Sequence, residues 1–293
     1  MSGVDNWPEL PLAEWDATRA TLHMYCQVVG KIRLALAPAE PEWAHTPFYL
    51  TSRGFTTSPI PYRERTFQID FDFIAHKVDI VVSDGESHSI ALIDGRSVAA
   101  FYKEIMQALA SFAIDVKIWP VAVEVPDPVN LSEDLQNKTY VAEHANRFFR
   151  TLVPIDATFK EHRAPYRRRH TLVQFFWGTF DLAYARFSGR PATPPSKDVI
   201  MREAMDAEEI CVGFWAGDKR FPEAAFWAYA FPKPDGLERQ TIAPAASFWN
   251  ADMGLFMLRY EDVRKSKSPH DMIREFLTST YDVCAAFSKW DEV

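Results

Sequence analysis

The sequence predicts an α+β fold: antiparallel sheets with helices, in two similar helix–strands–helix halves packed about a pseudo-twofold axis. Three observations lead there. A long helix-periodic apolar segment starts each half, at Trp15–Ala37 and Thr139–Leu152. Short alternating segments separated by turn residues follow each of them, as antiparallel strands require. Fragments also align between the halves: His23 with His144, Phe48-Tyr49-Leu50 with Phe175-Phe176-Trp177, and Phe101–Met106 with Met272–Leu277. Either the chain is internally duplicated, or amphipathic segments resemble one another by chance. Pro126-Asp127-Pro128 is the best boundary, dividing residues 1–128 from 129–293 within one compact molecule.

In order, residues 1–14 form a leading loop whose Trp7, Leu10 and Leu12 can pack on the first helix. That helix carries Leu22, Cys26, Val29 and Ile32 at three- and four-residue steps and is apolar almost all round, so it belongs inside the protein. Its narrow polar stripe is His23, Gln27 and Lys31, with Gly30 alongside. Buried, such groups must line a pocket or bond to neighbouring backbone, since an unpaired one costs roughly 1–3 kcal/mol. Phe48–Ile60 reads as extended, Phe67–Phe73 as a half-buried strand, and Val78–Val82 and Ile90–Ile93 as a hairpin about Ser83-Asp84-Gly85. Ser97 caps a helix reaching Phe112, and Val116–Val125 reads as a strand edged by Pro120. In the second half, Thr171–Phe187 reads as two strands joined near Gly178, followed by strands at Ile210–Trp215, Ala225–Phe231 and Leu255–Tyr260. A final helix is capped by Ser268 with Pro269 in its first turn.

Composition narrows the classes. With 32 basic and 40 acidic residues, a net charge of −8 argues against nucleic-acid and anionic-membrane partners, which need a positive field. No apolar run reaches the roughly 18 residues of a membrane span. Nothing at the start resembles a signal peptide, and the three cysteines are far apart, so a cytoplasmic location with free thiols is expected. Glycine is scarce, at 11 residues, and no phosphate loop, dinucleotide fingerprint, HExxH, CxxC or GxSxG is present. No metal and no cofactor is therefore expected. Asp70 and Asp72 share a strand face; a solvated outer surface accounts for them more simply than an acid/base pair. Arg163 and Arg167–Arg169 read as a solvent loop before an anion site.

The chain resembles the bacterial family DUF5996, a domain of unknown function. The resemblance rests on Trp7–Leu10, Thr21-Leu22-His23, Gln27–Arg33, Thr56–Tyr62, Phe71–Ile74, Val125–Pro128, Phe175–Gly178, Phe180–Ala183, Arg186–Arg190, Met201–Ala204, Gly213–Trp215 and Ser279–Tyr281, and spans essentially the whole chain. It implies no activity and transfers no catalytic residue. Two departures stand out: Tyr25 where the family pattern suggests tryptophan, and Met205-Asp206-Ala207-Glu208 where it suggests Tyr-Ser-His-Glu.

Three functions fit these residues. In the first, an enzyme or enzyme-like protein acts on a small anionic metabolite in a pocket between the halves. His23 and Asp181 exchange protons there, while Gln27, Lys31, Arg53, Trp177 and Arg186 bind the ligand. In the second, the same pocket binds without turnover. In the third, a structural or interaction protein satisfies its polar groups internally: His23 is then a core histidine, Arg53 and Arg186 pair with Asp70 or Asp181, and Arg202-Glu203 is a surface pair. The oligomeric state has no signature in the sequence.

Overall fold

A computed structural model describes residues 7–290. The chain forms two compact units. The amino-terminal unit is Ala13–Arg150 with Phe175–Phe180; the carboxy-terminal unit is Thr151–Gln174 and Asp181–Val293, with Met1–Leu12. The α+β class holds, with helices beside two antiparallel sheets.

Helix α1 (Leu12–Leu36) is buried at every position from Thr21 to Arg33, as its nearly uniform apolar surface demands. Strands β1 (Tyr49–Leu50), β2 (Gly54–Thr56), β3 (Ile60–Tyr62), β4 (Arg65–Asp72), β5 (Lys77–Val82) and β6 (Ser87–Ala91) form a sheet in the order β1-β2-β4-β5-β6, with β3 also on β4. The alternation along β4 does what period two requires: Phe67, Ile69 and Phe71 are buried. They face a core shared with Val78, Ile80 and Ile90. Asp72 is not on a solvated face. It is buried and accepts the Ile74 and Ala75 N–H groups, closing the turn into β5. Helix α2 (Val98–Ser111) starts at Ser97, whose hydroxyl accepts the Ala100 N–H, and buries Phe101, Ile105 and Leu109. The Tyr25 ring stacks on Phe101 at 4.2 Å, and its hydroxyl donates to the Arg96 carbonyl at 2.6 Å.

Val116–Val125 is not a strand. Its backbone partners come from a loop and from a side chain: Ala122 N–H donates to Val129 O, Leu131 N–H to Pro120 O, and Val123 pairs with the Gln27 amide. Pro120 has no N–H for a ladder, which leaves this segment irregular.

Helix α3 (Ala142–Arg163) runs eleven residues past the expected end, through Pro154. Proline normally costs about 3 kcal/mol inside a helix. Leu152, Ile155 and Phe159, fully buried at helical spacing, outweigh that cost. Arg163 accordingly sits in the last helical turn and not in a loop.

Strands β7 (Gln174–Phe176), β8 (Asp181–Pro191), β9 (Ala207–Trp215), β10 (Ala225–Phe231), β11 (Phe248–Asn250) and β12 (Leu255–Arg259) lie in the order β11-β12-β10-β9-β8-β7. A short helix α4 (Val199–Ala204) precedes β9, and α5 (Tyr260–Arg264) precedes α6 (Pro269–Phe287). Helix α6 buries Ile273, Phe276, Leu277, Thr280 and Cys284, the stripe read from the sequence. Ser268 occupies its N-cap position, but the hydroxyl donates to Asp271 at 2.6 Å and makes no bond to the helix backbone.

Cys26, Cys211 and Cys284 are buried, free thiols. Burial pushes the first two well above the ordinary thiol range and Cys284 to about 12, so little thiolate forms near neutrality. Thiol titration of folded protein should find almost no reaction, and titration of unfolded, unreduced protein should find three groups. A single reactive group in the unfolded chain would mean a disulfide.

Candidate functional site

In the amino-terminal unit, His23, Gln27 and Lys31 stand on one face of α1 and are 6%, 0% and 6% exposed. Of the two outcomes the sequence allowed, bonding to neighbouring backbone is seen for part of the stripe. Two of its members bond to backbone; the third does not.

Gln27 is held at both ends of its amide. Its Oε1 accepts the Val123 N–H at 3.1 Å, and its Nε2 donates to the Val123 carbonyl at 2.7 Å. The backbone roles are fixed, so the amide orientation is fixed too. Nε2 also lies 3.4 Å from the Gly178 carbonyl. That carbonyl accepts from His23 Nε2 at 2.9 Å, which places a hydrogen on Nε2. The 3.5 Å approach of Gln27 Nε2 to His23 Nε2 is then a contact between two donors and not a hydrogen bond.

Lys31 differs. Its ammonium lies 5.7 Å from the centre of the Trp177 ring, within cation–π range. Among the described residues no acceptor takes a hydrogen from it and no carboxylate makes an ion pair with it. Burial lowers its pKa to about 8, against an attraction from Glu124 that raises it. Trp177 is itself fixed: its indole N–H donates to the Thr46 carbonyl at 2.8 Å, and its ring lies against Gly30 so closely that a Cβ there would fall 2.2 Å from ring carbons. Gly178 is needed for the same reason, since a Cβ would meet a Glu124 carboxylate oxygen at 1.9 Å. Nothing in the sequence pointed to Glu124, which is brought here by an irregular loop.

Each of the other expected residues has its own surroundings. Arg53 is half exposed and pairs with Asp72 at 2.6 Å, one residue pair from the Asp70 considered for it. Asp181 is buried at the start of β8 in the carboxy-terminal unit, opposite Trp215. Arg186, in the same strand, is not an Asp181 partner. It is 7% exposed, with its guanidinium between the rings of Tyr166 at 4.9 Å and Tyr281 at 4.5 Å. Its Nη2 donates to the His162 carbonyl at 2.6 Å. The Tyr184 hydroxyl meets His162 Nδ1 at 2.5 Å, and burial, with the nearby Arg186 charge, pushes this imidazole down to about 3. Arg202 makes an exposed pair with Glu203 at 2.7 Å.

Sequence reasoning missed a second buried polar group, on the sheet: Tyr229 donates to Glu209 at 2.8 Å beside Cys211. A depression of about 600 Å³ opens on the exposed face of α6 between Asp271 and Val283; none of the expected site residues lines it. Among the described residues no three His, Cys, Asp or Glu side chains group to hold a metal, and no helix is long and apolar enough to cross a membrane.

Neither a curated protein nor a solved structure matches the chain. The model of the family of unknown function DUF5996 matches residues 7–293, nearly the whole length. The polar stripe of α1 and the Trp177-Gly178 pair it meets fall within that match, and the chain belongs to DUF5996.

Proposed function

We propose that this protein binds a small anionic molecule at Lys31. One observation carries the reading: a lysine only 6% exposed, whose ammonium has no hydrogen-bond acceptor among the described residues and is held over an indole face. A buried lysine of this kind is costly unless it is paired or wet. An incoming carboxylate or phosphate supplies the acceptors the fold withholds. Trp177 provides a rigid wall, because Gly30 and Thr46 fix its position. His23 and Gln27 shape the site from behind by clamping the Gly178 and Val123 backbone.

The binding reading is better supported than the enzymatic one, because the polar atoms of Gln27 and Nε2 of His23 are engaged by backbone. Turnover would rest on His23 Nδ1, the basic nitrogen left when Nε2 carries the hydrogen. A cytoplasmic location belongs to the same proposal, supported by three buried free thiols. So does internal duplication: Phe48 and Phe175, equivalent in the alignment of the halves, exchange both backbone hydrogen bonds at 2.8 Å. Each sheet also contains a three-strand antiparallel meander, β4-β5-β6 and β8-β9-β10.

The test is a thermal-shift screen of small carboxylates and phosphates on wild-type protein and on Lys31→Met. At least one anion should raise the melting temperature of the wild type and leave the variant unmoved. Equal stabilisation of both proteins by every active anion would remove Lys31 from the site.

A further inference from the structure

The carboxy-terminal unit carries a buried cation that its own fold does not neutralise. Arg186 is 7% exposed, and among the described residues no carboxylate forms an ion pair with it. Its Nε is fully buried without a hydrogen-bond partner; Nη2 is used, on the His162 carbonyl and ring. A buried guanidinium usually has a carboxylate beside it, because desolvating the charge is costly. The two tyrosine faces recover part of that cost, as cation–π contacts do, but they accept no N–H hydrogen in the ring plane.

The surroundings hold the charge positive. His162 Nδ1 is turned toward donors, the Tyr184 hydroxyl at 2.5 Å and Arg186 Nη2 at 3.3 Å, so this ring is an acceptor and stays neutral. Tyr166 is a protonated phenol donating to the Phe187 carbonyl at 2.8 Å. Arg163, at the end of α3, adds a second guanidinium. Its Nη1 donates to His170 Nδ1 at 2.9 Å, its Nε is buried without a partner, and His170 bridges to Arg186 through the backbone. Two arginines thus keep N–H groups that no acceptor takes, linked through His170, and aromatic rings flank Arg186.

We infer that Arg186, flanked by Tyr166 and Tyr281, is an oxyanion-binding group in its own right, receiving a carboxylate or phosphate oxygen on its unspent N–H donors. The aromatic walls hold the guanidinium plane still, which suits a planar fork better than a point charge. This site is carried by β8, α6, the end of α3 and the segment that follows it, and does not depend on Lys31.

Inorganic phosphate and acetate are the probes, each titrated at constant ionic strength against a chloride control, with the side-chain Nε–H resonance of Arg186 followed by NMR. One of the two anions should move that resonance saturably, and the same anion should slow modification of Arg186 by phenylglyoxal. Phosphate alone acting points to a phosphate ligand, and acetate alone to a carboxylate. Arg186→Lys should weaken the response about tenfold, because a lysine cannot present the planar fork. Lys31→Met should leave it intact. The inference fails if neither anion at millimolar concentration moves the wild-type resonance, or if Arg186→Lys binds both anions as wild type does. It also fails if Lys31→Met abolishes binding, an outcome that would assign the anion to the Lys31 site. Should Arg186→Lys not fold, the wild-type resonance and the modification rate decide.

Discussion

Gly30→Ala is expected to lower the unfolding free energy by about 3 kcal/mol. Helix propensity alone argues the other way, since alanine is favoured over glycine by about 1 kcal/mol inside a helix. Packing decides the sign. The new methyl would fall 2.2 Å from the Trp177 ring, far inside ordinary contact. The indole cannot retreat without losing its bond to the Thr46 carbonyl and its place beside the Lys31 ammonium. Overpacking of this kind costs about 1–3 kcal/mol or more, and a lost buried hydrogen bond adds about 1. Urea denaturation of both proteins measures the difference. In a Trp177→Leu background the same Gly30→Ala change should be neutral or stabilising, because only propensity remains. A single variant as stable as wild type would mean that helix and indole do not meet this closely.

Lys31→Met should stabilise the protein at pH 7 by about 2 kcal/mol. Lowering a lysine from its ordinary pKa to about 8 corresponds to roughly 3 kcal/mol of disfavoured charge. Losing the cation–π contact returns about 1 kcal/mol of that. The pH dependence follows from the direction of the shift. The folded pKa lies below the unfolded one, so the unfolded chain holds more protons between about pH 8 and the ordinary lysine value. Wild-type stability therefore rises with pH across this window, and the advantage of the variant should shrink toward pH 10. If the variant instead loses a few kcal/mol at pH 7, Lys31 is half of an internal pair and its removal strands the Glu124 carboxylate. The binding proposal would then lose its support. An unchanged stability profile would mark Lys31 as solvated.

The legible parts of the sequence were those in which one element decides its own burial. Helix α1 is apolar nearly all round and is buried from Thr21 to Arg33; β4 alternates and buries Phe67, Ile69 and Phe71; Ser97 caps α2 as its spacing announced. Period and capping are local chemistry, so they can be read without a fold. The expectations that failed depended on distant partners. Pro154 marks an end by local rules, yet the burial of Ile155 and Phe159 carries α3 beyond it. Val116–Val125 has strand-like residues, but its Val123 backbone is taken by a glutamine about a hundred positions away in the chain.

The site divides along the same line. The sequence by itself determined that His23, Gln27 and Lys31 share one face of a helix built for burial, because helical spacing and an apolar surround fix both; that Lys31 stays inside and does not reach solvent past the helix end came from the structure. It also determined the α+β class and membership of a family whose activity is unassigned. Only the tertiary structure decided which of the three is satisfied. The carbonyls of Val123 and Gly178 reach His23 and Gln27, and nothing in the described structure reaches the Lys31 ammonium with an acceptor. It likewise placed Arg186 between Tyr166, just past the end of α3, and Tyr281 of α6, without a carboxylate partner among the described residues. Hydrogen bonding and charge pairing depend on where remote backbone and side chains arrive in space, and residue order alone does not carry that information.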